Sequence, residues 1–140
     1  MTLIAPASRL HRIVKKMDRF VDADSVKVNA PYRELLQGST LLGAYRGDSQ
    51  SENIFFADHL LVFTEFDSGR PCRISYADIQ TVEYPLPASE SIELKIQLTD
   101  SSIVSMRVVG RNGNFRDVFE VGRFFMRIAE DAGKGMKLPR

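Results

Sequence analysis

Hydrophobic and polar positions change their period twice along this chain. Leu10, Ile13, Val14, Met17, Phe20 and Val21 recur at steps of three and four, the spacing that puts side chains on one face of a helix. Ser8 can cap that helix at its start. Asp22-Ala23-Asp24-Ser25 interrupts the pattern and reads as a linker. Residues 31–37 predict a short second helix, with Pro31 in its first turn and Gly38 at its stop.

From Thr40 onward the period becomes that of strands. Seven short segments rich in Ile, Val, Phe and Tyr cover residues 40–46, 53–57, 60–65, 72–76, 78–84, 91–98 and 102–109. The sixth alternates most strictly: Ile92, Leu94, Ile96 and Leu98 fall on one face, and Glu93, Lys95 and Gln97 on the other. In the seventh, Val104, Met106 and Val108 alternate with Ser105, Arg107 and Val109. Turn chemistry separates the segments, at Asp58-His59, Asp67-Ser68-Gly69-Arg70 and Thr99-Asp100-Ser101. Pro85 and Pro87 cannot donate to a ladder, so residues 85–90 predict an exposed loop.

Residues 110–114 form a turn that leads back to a helical period. Phe115, Val118, Phe119, Gly122, Phe125, Met126, Ala129 and Ala132 make a broad apolar stripe, with Gly122 at its centre for a close approach to a neighbour. Gly133 ends the helix. Seven strands in succession and one terminal helix predict a mainly β (α+β) domain, an antiparallel, partly open barrel or sandwich capped by its C-terminal helix. The expected organisation is an N-terminal amphipathic helix and linker over 1–25, the β domain with its helix over 26–133, and a basic tail over 134–140.

This order of elements resembles the pleckstrin-homology-like (PH-like) superfold, in particular its bacterial and GRAM-like branches. The stretch from Tyr32 to Gly43 looks like the short helix and first strand of those domains, and that from Asn53 to Phe63 like their second and third strands around a tight turn. Arg73-Ile74-Ser75-Tyr76-Ala77-Asp78-Ile79-Gln80-Thr81-Val82 is similar to the place where a strand runs into an aspartate-isoleucine pair and the next strand. The resemblance spans residues 31–132 and implies a seven-stranded barrel with a recognition role, without implying a ligand. Members that bind phosphoinositides carry clustered basic residues between their first two strands. Here that loop holds Arg46 against Asp48 and Glu52, which would repel a polyanion.

At 140 residues, 44% hydrophobic and 26% charged, the chain fits one globular domain. The single Cys72 excludes an internal disulfide and suits a reducing compartment. No run is long and apolar enough for a membrane span, and the start lacks a signal-peptide pattern, so the expected localisation is cytoplasmic. A net charge of +1 argues against a dedicated nucleic-acid binder. The distribution is less even: residues 1–21 carry Arg9, Arg12, Lys15, Lys16 and Arg19 against Asp18 alone.

Candidate chemistry is sparse. Cys72, His59 and Asp58 are the only set from which a nucleophile triad could be drawn, and nothing in the sequence activates the thiol. His11 and His59 stand far apart, without metal-ligand spacing. No enzyme activity, metal or cofactor is therefore expected.

The basic N-terminal helix has three readings: packing on its own domain, docking to another subunit or protein, or lying on a membrane. Docking would use Leu10, Ile13, Met17 and Phe20 as anchors. Adsorption to an anionic membrane, at the inner face, would use Arg12, Lys15, Lys16 and Arg19, helped by Arg70 and Arg73. The leading expectation is a non-catalytic binding or assembly module acting through protein–protein contacts or self-association as a homo-oligomer. The alternative is peripheral binding to anionic lipid.

Overall fold

The computed structural model describes residues 10, 13, 19–47, 52–84, 93–108 and 116–131. Eight strands among them form two antiparallel sheets. The first holds β1 (Phe20–Asp22), β2 (Leu41–Tyr45), β3 (Ile54–Ala57), β4 (Leu60–Thr64) and β5 (Pro71–Ser75), in that spatial order. The second holds β6 (Ile79–Glu83), β7 (Glu93–Leu98) and β8 (Ile103–Arg107). Helix α1 (Ala30–Leu35) precedes β2, and helix α2 (Arg116–Asp131) follows β8. All seven strand segments expected from the pattern are represented among the described residues, where they lie in two separate sheets that do not close into a barrel. Among the described residues no helix is long and apolar enough to cross a membrane.

The eighth strand is a correction. Phe20 and Val21, assigned above to the N-terminal helical face, are extended and pair with Tyr45 and Ala44 on β2. Gly43 gives the physical reason. A Cβ at that position would collide with the ring of Phe20 and with the Val21 carbonyl, so only glycine lets β1 lie this close to β2. Ahead of β1, Leu10 and Ile13 are helical and only 4% and 7% exposed, packed in the main core with Tyr45, Leu61 and the α2 aromatics. The expectations for residues 85–90, 110–115 and 132–140 lie outside the described residues.

Strands β3 and β4 of the first sheet are buried on both faces. Phe55, Ala57, Leu60 and Val62 meet Tyr32 and Leu36 of the α1 segment. Ile54, Phe56, Leu61 and Phe63 point the other way, into the core shared with the second sheet and α2. An antiparallel sheet covered on one side alternates apolar and polar residues; cover on both sides makes its strands apolar throughout. The unbroken runs Ile54-Phe55-Phe56-Ala57 and Leu60-Leu61-Val62-Phe63 follow from that. Tyr32 Oη and Thr64 Oγ1, 2.7 Å apart, tie α1 to the end of β4.

Helix α2 covers the open side of the second sheet. Its buried stripe is wider than the period suggested. Val121, Phe124 and Ile128 join Val118, Phe125 and Ala129 in the core, whereas Phe119 is only half-buried against Tyr84. The Phe124 ring meets Phe56 and Tyr76 edge to face, with centroids 5.3 and 5.8 Å apart, a geometry that aromatic quadrupoles favour. Gly122 has the close-approach role expected of it: a Cβ there would fall on the Tyr84 ring and 3.1 Å from Leu94 Cδ1. Tyr45 Oη donates to Asp117 Oδ2 at 2.5 Å and so joins β2 to the first turn of α2.

Candidate functional site

The two sheets part at the beginning of β3, the end of β4 and the outer edge of β8, and a cleft of about 270 Å³ opens there. Ile54, Phe63 and Met106 make it apolar within; Glu52, Asn53, Glu65 and Arg107 supply its polar groups, and Phe66 its aromatic wall.

The β4–β5 turn builds one side. Glu65 N–H donates to Arg70 C=O at 2.8 Å and Gly69 N–H to Glu65 C=O at 2.8 Å, with Gly69 at φ +71°, a conformation that glycine adopts without a steric penalty. Leu98 N–H donates to Ser102 C=O, so by the alternation of an antiparallel ladder Ser105 turns its peptide groups away from β7. The turn takes up both of them. Phe66 N–H donates to Ser105 C=O at 2.8 Å, and Ser105 N–H donates to Glu65 Oε2 at 3.0 Å. The Ser105 hydroxyl lies 3.0 Å from Asp67 Oδ2 and 3.3 Å from Glu65 Oε2. This is why Ser105, on the polar side of the β8 alternation, is only 1% exposed.

Glu65 is the electrostatic centre of the turn. Partial burial raises its carboxyl, but hydrogen bonds from the Ser105 and Ser68 N–H groups outweigh that and hold it below the ordinary carboxylate range. Across the cleft, Arg107 Nε stands 3.3 Å from Glu52 Oε2, and its guanidinium carbon lies 6.0 Å from the Phe66 ring centroid. Asn53, 5% exposed, accepts Gly47 N–H on Oδ1 at 2.9 Å.

The residues singled out from the sequence are dispersed. Leu10 and Ile13 lie in the core, Phe20 packs against it from β1, and Met17 falls outside the described residues. Arg12, Lys15 and Lys16 also fall outside them. Arg19 leads into β1 and donates to Arg46 C=O at 3.2 Å, while Arg70 and Arg73 belong to the β5 side, at the opposite edge of the same sheet. Four inter-strand spacings, about 19 Å, separate those edges.

Cys72 and His59 do not meet either. His59 C=O accepts Tyr76 N–H, whereas Cys72 pairs with Phe63 four residues farther along β5, about 13 Å away at strand rise. Burial, with a smaller effect from the Glu65 carboxylate, pushes the Cys72 thiol up to about 12. Among the described residues no three His, Cys, Asp or Glu side chains gather into a group that could hold a metal ion.

Sequence reasoning missed Glu65, Phe66, Ser105 and Arg107 as a group, because 40 residues separate the turn from β8. The one local signal was Phe66, a large apolar residue inside an otherwise polar turn. No protein-family model matches the chain, and the search of curated proteins gave no match.

Proposed function

We propose that this chain is a non-catalytic module that acts through protein–protein contacts, with a second copy of itself as the simplest partner. One observation carries the reading. Phe66 and Ile103 are the large apolar side chains left exposed among the described residues, at 48% and 60%. Both border the outer edge of β8, because Phe66 is hydrogen-bonded to Ser105, two residues from Ile103. Exposed apolar groups set along one strand edge are the usual makings of a contact surface. Leu10 and Ile13 serve the core of their own chain, so the proposed contact moves from the N-terminal helix to the β8 edge.

Seven successive strands and a closing helix, preceded by α1, support a PH-like plan for the domain. The two-sheet arrangement is compatible with that plan, and recognition by such a scaffold needs no catalytic group. The polar side chains of the cleft are engaged within the chain, Arg107 with Glu52, Glu65 with the Ser68 and Ser105 N–H groups and Asn53 with Gly47 N–H, as expected of a shaped surface more than of a reaction centre.

Light scattering on the purified chain over a wide concentration range tests the proposal. The expected result is a mass that rises with concentration, with Phe66→Ser and Ile103→Ser each shifting the rise to higher concentration. A monomer at every concentration removes self-association. Association indifferent to both substitutions removes the β8 edge as its surface.

A further inference from the structure

We propose that the cleft beside β8 receives a lysine or arginine side chain of the protein partner, an inference that rests on the reading above and names the chemistry of the contact. Charge gives the first reason. Beyond the Glu52–Arg107 ion pair, the described residues that line the cleft include the carboxylate of Glu65, and Asp67 adds another just behind, on the Ser105 hydroxyl. Glu65 is held ionised by the N–H groups of Ser105 and Ser68, so it presents a fixed negative charge and not a proton donor.

Shape gives the second. Ile54, Phe63 and Met106 offer an apolar channel for an aliphatic stem, and the Phe66 ring stands at the mouth for the cation. Arg107 already holds Glu52, with its guanidinium carbon 6.0 Å from the Phe66 ring centroid, so the carboxylate left to an incoming cation is Glu65. A volume of about 270 Å³ admits one long side chain and little more.

Asn53 gives the third, independently of charge. It is 95% buried and lines the cleft. Its Oδ1 is committed to Gly47 N–H, and Nδ2 meets no acceptor among the described residues. A buried amide donor without an acceptor is costly. A main-chain carbonyl beside the incoming basic side chain would complete it.

The test uses the full chain labelled with 15N, at a concentration where light scattering finds it monomeric, titrated with N-acetyl-arginine amide, N-acetyl-lysine amide and the uncharged N-acetyl-norleucine amide. The expected result is saturable shifts of the Asn53 side-chain NH2 and of the Phe66, Gly69 and Arg107 amides with the two cationic probes, weakened by salt. Glu65→Gln should weaken binding about tenfold, the scale of one charge-assisted contact at a partly exposed site. Phe66→Leu, which leaves the Glu65 hydrogen bonds in place, should weaken it as well and serves if Glu65→Gln loosens the turn. Absence of saturable shifts with either cationic probe overturns the inference, as does norleucine amide binding as well as arginine amide. Self-association through Phe66 without probe binding would discard the cationic cleft and keep the module; probe binding by a chain that stays monomeric would do the reverse for self-association.

Discussion

Replacing Glu65 with alanine should weaken the joint between the two sheets by an amount that depends on pH. The carboxylate accepts Ser68 N–H at 2.8 Å and Ser105 N–H at 3.0 Å, so the substitution orphans two backbone donors. A hydrogen bond to a charged group contributes about 1.5–3 kcal/mol where it is shielded. Water reaches this half-buried site, which brings each bond to about 1 kcal/mol. The expected loss is about 2 kcal/mol at neutral pH, a fall in Tm of about 6 °C for a chain of this size. The folded carboxyl lies below its ordinary value of 4.5. Its stabilisation is therefore present above that value and is lost as pH falls through the lower, folded one. Urea unfolding followed by circular dichroism, at a series of pH values from neutral into acid, should show wild type and Glu65→Ala converging. Equal stability at neutral pH, or a gap that stays constant in acid, would refute the reasoning.

Gly122→Ala should destabilise the protein by about 1 kcal/mol: overpacking of about 1–3 kcal/mol against Tyr84 and Leu94 exceeds the helix-propensity gain of about 1 kcal/mol. A thermal melt with a raised Tm would contradict the close approach. Cys72, its thiol pushed up to about 12 chiefly by burial, should react slowly with iodoacetamide in the native protein and quickly in urea. Rapid native labelling at mildly alkaline pH would show the thiol to be accessible and ionised.

The alternation in β7 was legible because that strand has one buried face: Leu94 and Ile96 are fully buried and Lys95 is exposed. A period of two then maps directly onto inside and outside. The α2 stripe was legible only in part. Apolar residues at 118, 119, 121, 124, 125, 126, 128 and 129 leave several possible faces, and packing against Phe56 and Tyr76 selected the one centred on Phe124 and Phe125. Residues 20–22 show the opposite failure. The spacing of Phe20 and Val21 continues the helical period of Leu10 and Ile13, yet the partners that make 20–22 a strand are Gly43, Ala44 and Tyr45, more than twenty residues away.

From local periodicity and turn chemistry alone, this sequence determined the seven strand segments, the short α1 helix (though it ends at Leu35, ahead of Gly38) and the terminal helix, because each depends on neighbours within one turn or one strand. Only the tertiary structure decided that β3 and β4 are covered on both faces, that Leu10 and Ile13 belong to the core, and that Glu65 and Phe66 bridge to Ser105. Those outcomes depend on which surfaces meet. Hydrophobic burial is non-directional, so the same apolar side chain can serve a core or a partner until the fold assigns it a neighbour.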